Sequence, residues 1–443
     1  MTTATIQNDK MPSHLEWRRP ETLNPYANNA RTHSTKQIRQ IAESITRFGF
    51  TNPVLIGDND EIIAGHGRVV AALQLNLDSV PVLKLSHLNE KERRAYILAD
   101  NKLAENAGWD QELLAIELQA LIDLEFDLDI TGFEIVEVDT ILKQAGRGEV
   151  PGRLDNIPAR SMDLPACNTG DLWALGPHRL LCGDAQIGSN VVRLMGGQTA
   201  NLIFTDPPYN VPIDGHVSGK GMHRHREFAF GSGEMSRSAF ASFLTKTLSN
   251  AAAVSKDGAI AFVCMDWRHM AELLEAGEIA FTELKNLCVW NKSNAGMGSF
   301  YRSKHELVFV YKVGSAAHTN SFGLGENGRY RTNVWDYAGA NVPTEERREA
   351  LEMHPTVKPV AMIADAILDC SRRGERVLDI FGGSGSTLIA AQSCGRIAHL
   401  LEYDPSYCDT ILERFAKVTG ISPINAATGA TWDAVKLASK EQR

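Results

Sequence analysis

No apolar run in this chain is long enough to cross a bilayer: stretches such as Ala259 to Met265 fall far short of the ~20 residues a spanning helix needs. Met1 to Pro20 lacks a basic stretch followed by an apolar one, so no secretory leader is expected, and a cytoplasmic protein without a membrane partner is. The seven cysteines include no Cys-x-x-Cys pair and no neighbouring histidine cluster, which excludes a disulfide framework or a zinc site and leaves reduced packing residues. No metal site is expected. Low-complexity tracts are absent too, and 43% apolar with 22% charged residues is the balance of a chain folded nearly throughout. Excess positive charge is also lacking. A net charge of -9 argues against indiscriminate binding to nucleic acid, so any such contact must come from local clusters. Candidates are Lys220, Arg224, Arg226 and Arg237 with interleaved histidines; Lys292, Arg302, Lys304 and His305; and Arg329 with Arg331.

At 443 residues the chain exceeds one hydrophobic core. Residues 1–108 read as a small α/β domain. Ile38, Ile41, Ile45 and Phe48 recur at helical spacing between Ser34, placed to cap, and Gly49, placed to terminate. Pro53 to Ile56 and Glu61 to Ala64 then flank a Gly-Asp-Asn-Asp turn as a hairpin. A helix after Gly65 to Arg68 and a strand at Val80 to Leu85 complete the unit. Residues 109–169 form an acidic helical segment and a linker: Asp110 to Glu149 hold eleven acidic residues against Lys143 and Arg147, which argues against a DNA grip there. Residues 170–443 alternate short apolar strands with helices, predicting an α/β, doubly wound, Rossmann-like sheet whose ligands bind outside the carboxyl ends of the strands. The expected strands are Arg179 to Cys182, Leu202 to Thr205, Ala259 to Cys264, Leu284 to Trp290, Leu307 to Tyr311, Arg376 to Ile380 and Ile397 to Leu401.

The sharpest chemical signal follows one of those strands, at Asp206-Pro207-Pro208-Tyr209. Two prolines fix the backbone and withhold donors, leaving a rigid acceptor platform. An amino group on a base is a poor nucleophile because its lone pair is delocalised. The Asp206 carboxylate and the Pro207 carbonyl suit it as acceptors, and Tyr209 suits the base's face. Alone, the motif would equally describe a strand-to-loop turn. A second signal stands far away in sequence, where Arg376 to Phe381 run into Gly382-Gly383-Ser384-Gly385-Ser386 and a helix. The spacing is not Gly-x-Gly-x-x-Gly, because Leu388 stands at the third glycine, and this weighs against a dinucleotide site. Carboxylates at the strand ends, Asp379 and Glu402, suit a ligand carrying an ammonium group and a ribose diol.

Together these motifs resemble the permuted, β-class amino-group DNA methyltransferases of adenine-specific type, in which the Asp-Pro-Pro-Tyr strand precedes the Phe-x-Gly-x-Gly strand. The resemblance covers about Gly170 to Thr419. His354 to Pro359 is similar to the family's segment over the methionine end of the cofactor. Leu181-Cys182-Gly183-Asp184 is similar to the strand end that meets the cofactor's adenine, and His305-Glu306 and Asn333-Val334-Trp335 recur there as well. The resemblance implies S-adenosylmethionine as cofactor, held by Asp184, Thr356, Lys358, Pro359, Asp379, Phe381, Gly383, Gly385, Ser386 and Glu402. It implies catalytic roles for Asp206, Pro207, Pro208 and Tyr209, and double-stranded DNA as substrate. Loops at His216 to Arg237, Asn291 to Lys304 and Gly314 to Met353 are expected to read it. Attack on a cytosine ring carbon is excluded, since it needs the Pro-Cys dipeptide that this chain lacks.

The N-terminal domain resembles the ParB and sulfiredoxin superfamily through Ile62 to Arg68 and Ala99-Asp100-Asn101-Lys102. There the loop Gly65-His66-Gly67-Arg68 implies a phosphate or nucleotide site, the alternative being a structural ion pair at Arg68. Partition proteins carry a basic helix-turn-helix next, whereas this chain carries an acidic segment. The rival readings are a cytosine-N4 or RNA enzyme, and a DNA-binding regulator with a vestigial methyltransferase fold. A homodimer is compatible with all of them.

Overall fold

The computed structural model describes residues 14–146, 154–158, 164–211, 233–293, 300–322, 329–338 and 357–441. They form two compact units, 1–145 and 146–443. In the first, β1 (Leu15–Arg18) pairs antiparallel with β4 (Val80–Lys84), which lies parallel to β2 (Val54–Ile56), itself antiparallel to β3 (Ile62–Ala64). The helices are α1 (Thr35–Phe48), α2 (His66–Gln74), α3 (Glu90–Glu105), α4 (Gln111–Asp123) and α5 (Ile135–Ala145). Ser34 caps α1 by accepting from the Gln37 N–H, and Gly49 ends it at φ 81°. Both signals lie in the sequence. The acidic helices α4 and α5 belong to this unit and bury Leu114, Leu118, Val138 and Ile141 against each other.

In the second unit, β5 (Leu172–Leu175), β6 (His178–Cys182), α6 (Gly188–Met195), β7 (Ala200–Thr205), α7 (Arg237–Ala253), β8 (Ser255–Met265), α8 (Met270–Ala280), β9 (Glu283–Lys292), β10 (His305–Lys312) and β11 (Val334–Tyr337) come first. Then follow α9 (Val360–Cys370), β12 (Arg376–Asp379), α10 (Ser386–Ser393), β13 (Ile397–Glu402), α11 (Pro405–Thr419), β14 (Ile424–Asn425) and α12 (Trp432–Glu441). Every strand expected from the sequence is present, with ends shifted by a few residues, whereas β5, β11 and β14 were not anticipated. Among the described residues the strands form one ten-stranded sheet, ordered β11-β9-β10-β8-β7-β12-β13-β6-β5-β14. Its centre, β8 to β6, is parallel. Alternation along β7 sends Leu202 and Phe204 into one core layer, with α9, α10 and α11, and Ile203 into the other, with α7 and α8. Burial on both faces is why the central strands read as continuous apolar runs. The chain leaves β7 toward β8 but leaves the adjacent β12 toward β13, so a topological switch point falls between β7 and β12. No helix among the described residues is long and apolar enough to cross a membrane. All seven cysteines are buried and free.

Candidate active site

The switch point opens a crevice where Asp206 leaves β7 and Phe381 follows β12. Thr205, the last residue of β7, donates its hydroxyl to Asp379 Oδ1 at 2.9 Å and ties the two strand ends together. Beyond Asp206-Pro207-Pro208-Tyr209, Asn210 adopts φ 51° and is nearly buried. Its side-chain oxygen accepts from the Gly233 and Met235 N–H groups, and its amide donates to the Met235 carbonyl. The turn is thereby pinned to the segment from Gly233 to Met235, as a rigid platform requires. A cavity of about 390 Å³ separates the two motifs, within the range of roughly 300–1,000 Å³ for small-molecule sites. Asp206, Pro207, Pro208 and Tyr209 line it together with Asp184, Asp379, Phe381, Gly383, Ser386 and Glu402.

Lys358, 4% exposed, joins the platform to a charge network. Its ammonium donates to Asp206 Oδ2 at 2.6 Å and lies 2.9 Å from Glu306 Oε2. The Tyr209 hydroxyl is shared between Asp206 Oδ1 (2.8 Å) and Glu306 Oε2 (3.1 Å), and Lys292 pairs with Glu306 Oε1. Burial would raise the Glu306 carboxyl, yet Lys358 and Lys292 bring it down to about 2. Burial would likewise lower Lys358, but Asp206 and Glu306 hold its ammonium above the ordinary range. Burial and the nearby Glu306 push Asp206 up, against the pull of Lys358 and Tyr209. Burial also raises the Tyr209 hydroxyl. Lys358, expected over the cofactor, thus reaches the Asp206 carboxylate with its charge while still lining the cavity.

Elsewhere along the cavity, Glu402 accepts from the Gly383 N–H (2.7 Å) and the Asp404 N–H (2.9 Å). Asp379 Oδ1 also accepts from the Phe381 N–H at 3.0 Å. Burial pushes both carboxyls up to about 7, opposed at Asp379 by the Thr387, Phe381 and Thr205 donors and at Glu402 by the Asp404 and Gly383 amides. Two buried carboxylates lacking an ion pair among the described residues fit a cationic, hydroxyl-bearing ligand, which is the chemistry of S-adenosylmethionine. Asp184 Oδ1 accepts from the Gln186 N–H at 2.8 Å, shaping the turn that closes the far end. Gly385 does not line the cavity: it starts α10 at φ 81°, where a Cβ would sit 3.2 Å from Ile411, so it serves the turn. Pro359 precedes α9 and also stands back from the cavity, while Thr356 lies outside the described residues.

In the first unit, Gly65 begins α2 at φ 104°, and Arg68 folds back over it. Arg68 donates Nη2 to the Pro53 carbonyl at 3.3 Å, forms no ion pair among the described residues and leaves Nε buried without a partner. The ion pair weighed for it is not seen among the described residues, although Asp100 lies near enough to oppose the lowering of its pKa by burial. His66 accepts from the Tyr26 N–H at 3.3 Å, and burial together with His33 lowers its pKa, so it braces the loop as a neutral ring. Gly67 packs under His33, where a Cβ would meet the ring at 3.1 Å.

Arg329, Arg331 and Lys292, expected to face DNA, do not, whereas Arg302, Lys304 and His305 stay exposed. Arg329 donates to Asp365 and Asp369, and Arg331 donates to Asp369 and the Tyr337 hydroxyl; their charge is consumed inside the fold. Lys292 turns inward to Glu306. The cluster from Lys220 to Arg226 and most of the stretch from Gly314 to Met353 lie outside the described residues. Unanticipated residues at the cavity include Phe243, Tyr403, Asp404 and Tyr407. Tyr403 and Asp404 directly follow β13, so the rule about strand ends could have found them.

Residues 200–413 match the family of N6/N4 DNA methylases, and residues 13–102 match the ParB N-terminal domain. Residues 112–163 match the helix-turn-helix domain of ParB-methyltransferases, within the stretch expected only as an acidic helical segment and linker; α4 and α5 pack on each other there. The ParB-like nuclease domain-containing protein YnaK of Escherichia coli K12 is 58% identical over 80 residues, 18% of this chain and 92% of that protein. Among solved structures, the M1.HpyAVI complex with S-adenosylmethionine is 17% identical, covers 53% of this chain and 97% of its own, and superposes with a TM-score of 0.39. The cytosine-N4-specific PvuII DNA methyltransferase is 14% identical over 65% of this chain and 96% of its own, with a TM-score of 0.41. ParB of Caulobacter crescentus complexed with CTP-γ-S is 18% identical over 32% of this chain and 83% of its own, with a TM-score of 0.27.

Proposed function

Because the chain belongs to the ParB-like proteins and joins that domain to an N6/N4 DNA methylase using S-adenosylmethionine, we propose that it methylates the N6 amino group of adenine in double-stranded DNA. The observation that carries this reading is one cavity lined by both the rigid acceptor turn and the buried carboxylates. Bound S-adenosylmethionine supplies an electrophilic methyl group on a sulfonium. The protein's share is to hold the acceptor base. An adenine inside a duplex cannot reach a recessed turn, so the base must be extruded. The Asp206 carboxylate and the Pro207 carbonyl then accept the two amino hydrogens and localise the nitrogen lone pair toward the methyl donor. Asp206 already accepts from Tyr209 and Lys358, but each carboxylate oxygen has a second acceptor site. Burial raises its pKa while Lys358 opposes the shift, and the raised basicity suits it to take the proton that the methylated nitrogen sheds. Positioning of the reactants supplies most of the rate.

Adenine is favoured over cytosine by the tyrosine form of the motif that begins with Asp206. Mass spectrometry of nucleosides from DNA of cells expressing the protein is expected to reveal N6-methyladenine. N4-methylcytosine alone would reject the base and keep the chemistry.

The loop Gly65 to Arg68 is assigned a phosphate or nucleotide, in the cytoplasm where DNA is the partner. Helix α2 offers its N-terminal amides there, and the Arg68 guanidinium, whose Nε has no partner among the described residues, lies beside them.

A further inference from the structure

Residues 154–158 join the two units in sequence and pack with the second. Beneath the glycine loop lies Arg414 of α11, only 1% exposed. Its Nη1 donates to the Ser384 carbonyl at 2.9 Å and the Ser386 hydroxyl at 3.2 Å, and its Nη2 donates to the Leu154 carbonyl at 2.8 Å. Among the described residues it has no carboxylate in ion-pair range. Burial lowers its pKa to about 10, which the nearby Asp155 partly offsets. A buried cation without a direct counter-ion is costly, and here its two Nη groups donate to two carbonyls and a hydroxyl from segments far apart in sequence, while Nε is buried without a partner among the described residues. Asp155, the next residue, accepts the Val360 N–H at 2.9 Å. Val360 opens α9, whose N-cap position is Pro359 and has no capping side chain. Asp155 therefore caps that helix from outside, two residues beyond Lys358. Nearby, Ala166 and Cys167 donate their N–H groups to Asp409 of α11.

We propose that Leu154 and Asp155 are positioning residues of the methyl-transfer site. The Leu154 carbonyl fixes Arg414 under the loop from Gly382 to Ser386, and Asp155 fixes the helix start that presents Lys358 to Asp206. One short segment between the domains thus braces both the cofactor wall and the base wall. The inference rests on the methyltransferase reading of the cavity.

The test uses the full chain, with S-adenosylmethionine affinity measured by calorimetry and turnover on DNA measured separately. Asp155→Ala removes a helix cap, and a cap of ordinary strength corresponds to about a fivefold fall in kcat with little change in cofactor Kd. Asp155→Asn keeps an acceptor oxygen and is expected to restore turnover. Arg414→Lys keeps the charge but cannot span both carbonyls, and is expected to weaken cofactor binding at least fivefold while the protein stays folded by circular dichroism. If both single variants merely melt earlier, with kcat and Kd unchanged well below the melting temperature, the segment is a structural staple and the proposal is wrong. Should Arg414→Lys fail to fold, the Asp155 pair decides alone, because a rescue by Asn but not Ala follows only from the acceptor. A wild-type protein that binds no S-adenosylmethionine would instead sink the methyltransferase reading itself.

Discussion

Protons and cofactor should compete at the cavity. Burial pushes the Asp379 and Glu402 carboxyls up to about 7, so near neutrality each is partly protonated. A bound cation favours the carboxylate and returns the pKa of the group it touches toward the ordinary value of about 4. Binding then expels whatever proton that group still holds. The sign follows directly: as pH falls below about 7 the free site loads a proton that the cofactor must displace, so Kd rises. For one group, Kd should weaken roughly fivefold from pH 7 to pH 6 and about fiftyfold from pH 7 to pH 5, from the ratio of free-state protonation. Participation of both would steepen the slope toward two. Working at or below pH 7 keeps the cofactor's own α-amino group, near 8, charged. Isothermal titration calorimetry in two buffers of different ionisation enthalpy reads the released proton independently of the affinity. A Kd constant between pH 7 and pH 5, with no buffer-dependent heat, would show that neither carboxylate faces the cation. The cofactor-free protein carries the opposite linkage. It holds protons there that the unfolded chain releases, so this contribution to stability declines as pH rises from about 4 to about 7.

Three further outcomes are expected. Asp206→Ala should lower turnover by at least ~2.7 kcal/mol, on the order of a hundredfold, by analogy with loss of one positioned group in an oxyanion hole, while calorimetry still detects cofactor. Lys358→Met removes a charge-assisted bond of roughly 1.5–3 kcal/mol and should cut kcat tenfold or more with Kd for S-adenosylmethionine within about threefold. Weak cofactor binding with intact kcat would return Lys358 to the cofactor. Arg68→Ala should abolish binding of inorganic triphosphate or nucleoside triphosphates to the full chain and leave kcat nearly unchanged; a lowered melting temperature with anion binding intact would make the arginine structural.

How far the sequence carries depends on the distance over which an interaction acts. The hairpin of β2 and β3, the caps at Ser34 and Gly49, and the alternation of apolar strands with helices are local signals, and they lie where expected. The Asp206 turn and the glycine loop are local too, and the sheet brings them to one cavity because β7 and β12 are neighbours. Short edge strands were harder. β14 has two residues, and the four-residue β5 carries too little alternation to separate from a turn. The helix-turn-helix match at 112–163 carries no basic charge signal, since the stretch is acidic.

The side chains of the base wall show the limit most clearly. Nothing local to Lys358 announces that it will meet Asp206, 152 residues away, or that Glu306 will sit between Lys358 and Lys292. A basic residue read by its charge alone is assigned to the obvious anion, DNA or cofactor. Arg329 and Arg331 followed the same logic and were spent on Asp365 and Asp369. Burial sets the rule in each case. A cation taken out of water must find an acid or a set of carbonyls. In a chain with nine more acids than bases such partners are abundant, so its buried cations are the ones least available to phosphate. DNA affinity must then rest on cations that remain exposed, among them Lys304 beside the base wall.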